Sequence, residues 1–132
     1  MKTRHELREI TFKLLFQIDN NDLDFDTVLE LEDEDVRNNP YVVDTVNGIQ
    51  NHKDEIDSII SENLKGWTIS RLSKMDRQIL RIAIYEIKYS DIPYKVSINE
   101  AVELSKKYSE KDESYKFING VLKGVVEKVA NN

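Results

Sequence analysis

The sequence contains no cysteine, four glycines, two prolines and a single tryptophan in 132 residues. Without cysteine there is no disulfide scaffold, thiolate zinc site or cysteine nucleophile, and the chain fits a reducing compartment. So few helix breakers favour long helices, and no five-residue stretch alternates as a strand bounded by turns. No uninterrupted apolar run is long enough to cross a bilayer. The start, MKTRHELREI, lacks the apolar run of a signal peptide, so a cytosolic protein is expected. Metal ligands are also scarce. His5 and His52 fall on different predicted helices, neither with a second histidine at ligand spacing, and both read as solvated. A phosphate-cradling loop needs clustered glycines before a helix. The pair here, Gly120 and Gly124, lies inside a predicted helix and reads as close helix–helix approach. No cofactor is expected.

The net charge is −6, which on its own argues against nucleic-acid binding. The distribution argues otherwise. Asp19 to Asp35 holds nine acidic residues and no basic one, whereas Lys65 to Arg81 holds five basic residues and one acid. Screening limits exposed charges to about 10 Å at 0.1 M ionic strength, so one acidic segment can set the global charge while a local positive field persists elsewhere.

Helical periodicity organises the whole chain. Thr3-x-x-Glu6 is a capping box opening a helix over 3–20, with Leu7, Ile10, Leu14, Leu15 and Ile18 on one face. A short acidic helix is predicted over 25–31, with Glu32 to Asp35 as an exposed loop or helix end. Asn39-Pro40 starts a third helix, with proline where its missing N–H costs nothing. Ile56, Ile59, Ile60 and Leu64 mark a fourth that ends before Gly66. Ser73-x-x-Asp76 precedes Ile79, Leu80, Ile82, Ala83 and Ile84, a segment apolar nearly all round and therefore the central buried helix. It stops before Pro93. Ser97-x-x-Glu100 reads as a capping box for the next helix, and Asp112 or Ser114 starts the last. The expected fold is all-α, about seven helices in two packed subdomains, 1–64 and 65–132.

Catalytic chemistry has little support. A general acid needs a pocket that shifts its pKa, and among many carboxylates only Glu86 and Glu100 have strongly apolar neighbours. Arg81, five positions before Glu86, suggests a buried ion pair that fixes how the last helices meet. The chain is not expected to be an enzyme.

The stretch from Asp76 to Glu86 reads DR-x-ILR-x-A-x-YE. Pro93 to Leu104 reads P-x-K-V-x-INEAVEL, and Lys116 to Leu122 reads KF-x-NGVL. In that order and spacing, with Trp67 and Arg71-Leu72 ahead of them, these segments resemble the NusB family of bacterial transcription antitermination factors. The match is dense over 75–124 and looser before it.

The resemblance implies an all-helical protein that binds the boxA element of ribosomal RNA leader transcripts. It would do so with the small-subunit ribosomal protein NusE, helping RNA polymerase resist termination. Lys2, Arg4 and Arg8 match the basic start of helix 1 that contacts RNA in the family, in a thinner run than usual, with His5 where a further basic residue is common. Lys116 and Phe117 match a lysine–phenylalanine pair near the RNA. Phe117 and Trp67 each fit either a base-stacking platform or a core position, and Arg81 either a phosphate contact or an ion pair with Glu86. Asp76 and Phe16 match positions at the NusE surface, although Asp76 also suits helix capping. Two other readings stand beside this one: a protein-interaction adaptor without its own RNA affinity, and a module serving a ribosomal RNA methyltransferase.

Overall fold

A computed structural model describes residues 2–66 and 68–130. Among them are eight α-helices and no strand: α1 (Arg4–Asn21), α2 (Phe25–Leu29), α3 (Glu34–Arg37), α4 (Pro40–Asn51), α5 (Lys53–Glu62), α6 (Lys74–Tyr89), α7 (Tyr94–Tyr108) and α8 (Ser114–Ala130). A 3-10 turn, Ile69–Arg71, precedes α6.

Local chemistry sets most boundaries. Thr3 accepts from the Glu6 N–H at 3.1 Å while the Glu6 carboxylate takes the Thr3 N–H at 3.2 Å, completing the expected capping box. Asn39 caps α4 through the Val42 N–H, with Pro40 in the first turn. Ser73 caps α6 through the Asp76 N–H. Lys65 (φ 46°) and Gly66 (φ 90°) are both left-handed, a turn that brings the chain from α5 towards α6.

Two boundaries differ from the sequence reading. The acidic stretch runs into a one-turn helix, α3, because Val36 has a core to enter. Helix α7 begins at Tyr94, just after Pro93, not at Ser97. The fixed φ of proline starts the helix early, which turns Ser97 towards α6 and frees Glu100 from any capping role.

Helix α6 is the axis of the molecule. Ile79, Leu80 and Ile84 are fully buried, and polar Asp76, Gln78, Arg81 and Glu86 are buried with them. Ser97 reaches Glu86 near the start of α7, and Ser109 reaches Asp76 just past its end, so α7 runs antiparallel to α6. Contacts of α1 with α6 also run antiparallel, from Arg8–Glu86 to Asp19–Gln78 and Asn20–Lys74. Helices α7 and α8 cover one side of α6, and α1, α4 and α5 cover the other. One hydrophobic cluster extends through both groups, from Leu7 to Val125.

Candidate nucleic-acid interface

The buried polar residues come first, because they decide which cations are free. Arg8 is 3% exposed and Glu86 1%. Arg8 Nε and Nη2 donate to the two Glu86 oxygens at 2.8 and 2.9 Å. Tyr41 Oη donates to Oε2 at 2.5 Å and Ser97 Oγ to Oε1 at 2.8 Å. Four donors on one carboxylate satisfy the buried charge, as burial requires. Burial, reinforced by Glu86, pushes the Tyr41 hydroxyl far above its ordinary pKa. Burial alone would weaken the Arg8 charge, but Glu86 more than offsets it and the pKa is raised. Arg8 therefore ties α1 to α6 and is buried where the sequence reading placed it on the exposed RNA-facing start of the helix.

The expected Arg81–Glu86 pair does not form. Five positions along a helix point the two side chains in different directions. Arg81 instead makes a bidentate contact with Asp57 of α5, both bonds 2.9 Å, and sits 3.5 Å from Asp19. It is 5% exposed, so it too is spent inside the protein, tying α6 to α5.

At the start of α1 the exposed cation is Arg4, whose guanidinium lies 4.6 Å from the centre of the Tyr41 ring. Half-exposed Lys2 pairs with Asp35 at 3.2 Å. His5 Nδ1 lies 2.6 Å from Glu100. Because α1 is antiparallel to α6, this group sits at the Glu86 end of the molecule.

Lys116 and Phe117 sit at the opposite end, near Asp76. Ten residues of α6 separate Asp76 from Glu86, about 15 Å along the axis. The sequence-assigned RNA residues thus form two groups, not one patch. Along α1, the end of α7 and the start of α8, next to Lys116, lies a face of lysines and tyrosines that sequence reading missed. Lys13 and Lys107 stand 5.8 and 5.4 Å from the Tyr108 ring, and Lys106 stands 5.0 Å from the Tyr115 ring. Tyr108 in turn packs on Phe12 with ring centres 4.9 Å apart. No local pattern signals this face, since Lys13 and Lys107 lie on different helices and meet only in three dimensions.

Near Asp76 the surface opens into a cleft of ≈ 610 Å³ between residues 63–65 and 71–73 and the first half of α8. Leu64, Leu72, Phe117 and Val121 line its apolar part. Phe117 is half-buried, packing on the core while lining the cleft. Lys65, Arg71, Lys111 and Lys116 stand around it. Lys116 is 3.1 Å from Glu113, whereas no carboxylate among the described residues pairs with Lys65, Arg71 or Lys111. Asp76 is buried and accepts from Ser109 Oγ at 2.5 Å. Phe16, half-buried on α1, lies in the half of α1 that Asn20 and Asp19 join to α6. Trp67 lies outside the described residues.

The glycine pair divides. A Cβ on Gly124 would meet Asn63 Oδ1 at 2.8 Å, so this glycine does allow close approach. Among the described residues, a Cβ on Gly120 would meet nothing within 4 Å, and Gly120 lines the cleft. Close packing against a described residue is therefore not the reason for Gly120. Among the described residues no group of acidic or histidine side chains is placed to hold a metal ion, and no helix is long and apolar enough to cross a membrane.

Comparison with known proteins gives a consistent picture. Residues 5–127 match the model of the NusB family. The transcription antitermination protein NusB of Ligilactobacillus salivarius is 45% identical over 129 residues, spanning 94% of this chain and 98% of its own length. The solved structure of T. maritima NusB aligns with a TM-score of 0.85 at 37% identity, covering 97% of this chain and 94% of that one. A chain of the solved complex of antitermination factors NusB and NusE with double-stranded RNA aligns with a TM-score of 0.78 at 30% identity, covering 95% and 96%.

Proposed function

The chain belongs to the NusB family, and from that premise we propose that it binds boxA-type RNA of ribosomal RNA leader transcripts. It does so together with a NusE-like ribosomal protein, within an RNA polymerase antitermination complex in the cytoplasm. The observation that carries this reading is its likeness, over nearly the whole chain, to a component of the NusB–NusE–RNA complex. The surface supports it in chemical terms. Exposed ammonium and guanidinium groups attract phosphates, and aromatic rings accept unpaired bases. Single-stranded boxA offers base faces and edges that an A-form duplex conceals.

In this reading Lys2 and Arg4 contact backbone phosphates at one end, and Lys116 and Phe117 contact RNA at the other; Trp67, outside the described residues, is a further RNA residue that the family resemblance implies. The lysine–tyrosine face of α1, α7 and the start of α8 adjoins the Lys116 end. Arg8 and Arg81 act indirectly by holding α1 and α5 against α6. Phe16 and Asp76 mark the partner side, where α1 meets the start of α6. The protein performs no covalent chemistry; its work is bridging RNA and partner.

Titration of labelled boxA-like RNA, with and without NusE, at two salt concentrations tests this. Affinity should rise with NusE and fall with salt. Equal affinity for boxA-like and scrambled RNA with NusE present would overturn the specific reading. A second reading, an adaptor without RNA affinity of its own, draws on the burial of Arg8 and the net charge of −6. It predicts no RNA shift unless NusE is present.

A further inference from the structure

The basic residues around the start of α1 are held in different ways. Lys2 pairs with Asp35, His5 lies against Glu100, and Arg8 is bound by Glu86. Among the described residues no carboxylate pairs with exposed Arg4. Its guanidinium lies over the Tyr41 ring, 4.6 Å from the centroid, within the range of a cation–π contact. Arg4 and Arg8, four apart on α1, share one helix face, and the same ring stands 5.7 Å from Arg8. The ring is itself fixed. Tyr41 sits in the first turn of α4, behind the Asn39 cap and Pro40, and its hydroxyl donates to buried Glu86 at 2.5 Å. Glu86 thus holds Arg8 directly and, through Tyr41, sets where Arg4 rests.

We propose that Tyr41 is a positioning residue for RNA binding: its ring holds the Arg4 guanidinium at the surface with its charge unspent, ready for a phosphate. The inference rests on the RNA reading above and adds to it a residue that acts only through Arg4. Neighbours fix a cation in two ways. A carboxylate holds the side chain but neutralises it, as Asp35 does for Lys2. An aromatic face holds it through the ring quadrupole and adds no opposing charge. Arginine suits such a face, because a stacked guanidinium keeps its planar fork of N–H donors for a phosphate. A long side chain left mobile is costly to immobilise on binding, whereas one held beforehand is not. The Tyr41 bond to Glu86 completes the device, since a ring free to turn would hold nothing.

The test uses the full chain with NusE and fluorescein-labelled boxA-like RNA at two salt concentrations; circular dichroism and thermal melting check that each variant folds. Tyr41→Leu should weaken RNA binding by roughly two- to tenfold, the cost of ordering one long side chain. The salt slope should not change, because Arg4 keeps its charge. In an Arg4→Gln background the same change should cost nothing further. Tyr41→Phe keeps the ring and should recover most of the loss, while melting at a lower temperature for want of the bond to Glu86. In the wild type, the ring current of Tyr41 should shift the Arg4 side-chain protons upfield in the NMR spectrum. If Tyr41→Leu does not fold, that spectrum and Tyr41→Phe decide. An equal loss from Tyr41→Leu in both backgrounds would make the residue merely structural and overturn the proposal. So would Arg4 protons at random-coil positions, a phenylalanine variant as weak as the leucine one, or unchanged RNA affinity in Arg4→Gln; each leaves the RNA reading intact. If the wild type binds no RNA even with NusE, the RNA reading itself falls, and the positioning role with it.

Discussion

The Arg8 guanidinium and the Glu86 carboxylate face each other fork to fork, at 2.8 and 2.9 Å, in a setting where neither is more than 3% exposed. The pair joins the first helix to the central one, 78 residues later in the chain. A buried pair is not in itself a large net source of stability, because desolvation offsets much of the attraction. Breaking one side is different, since it strands a charge. Arg8→Met should cost about 3–5 kcal/mol, read as a lower urea midpoint. Replacing both residues together by apolar ones should cost less than the two single changes summed, which a double-mutant cycle would detect.

Arg81 should behave the same way and not as a phosphate ligand. Arg81→Met loses the bidentate bond to Asp57 and the link to Asp19. A fall in unfolding free energy is expected, with the salt dependence of RNA binding unchanged. A reduced salt slope in a folded variant would show that Arg81 reaches phosphate after all.

Three glycines should respond differently to alanine. Gly120→Ala should raise the melting temperature, since alanine is better in a helix interior by about 1 kcal/mol and no described residue stands in its way. Gly124→Ala should lower it. The Asn63 amide that its Cβ would meet is held by a 2.8 Å bond from Nδ2 to the Ile59 carbonyl and cannot easily move aside. Gly48→Ala should be the most damaging, because a Cβ there runs into the Tyr85 ring.

Glu9 predicts an acid limb. Lys107, which donates to it at 2.7 Å, and then the Tyr108 hydroxyl hold its carboxyl below the ordinary value. A depressed folded-state pKa gives stability that is present above the unfolded value, about 4.3, and lost as pH falls through the lowered one. Glu9→Gln should therefore be less stable than the wild type at neutral pH. The difference should vanish at about pH 2, as equilibrium unfolding at several pH values would record.

Charge removal should separate surface from buried cations. Lys2→Gln, Arg4→Gln and Lys116→Gln should each weaken RNA binding without regard to sequence. For a single strand, removing one phosphate-binding cation should reduce the salt slope by about 0.7. An unaltered slope in all three would place the RNA elsewhere, with the lysine–tyrosine face of α1 and α7 the next region to test.

Much of this architecture was legible in the chain. Local chemistry within a few residues made it so: Thr3 with Glu6, Asn39 with Pro40 and Ser73 before Asp76 fix helix starts by bonds that span one turn. The all-round apolar run from Ile79 to Ile84 could only be a central helix. Ser97 misleads because its pattern is also that of a cap, and nothing local discloses that Pro93 has already begun the helix and that Glu86 lies opposite. The site was less legible still. Arg8 carries the same charge as Arg4 and sits on the same helix, yet one turn decides that it faces Glu86 and not solvent.

The sequence by itself determined the helical class, the order and approximate limits of the long helices, and, through segments such as KF-x-NGVL, the family. These depend on periodicity and on contacts between near neighbours. Only the tertiary structure decided which charges are spent inside the protein, that Lys13 and Lys107 meet at Tyr108, and that Gly124 faces Asn63 while no described residue faces Gly120. Those outcomes depend on which residues distant in the chain come within a few ångströms, and burial and pairing energies act only at that range.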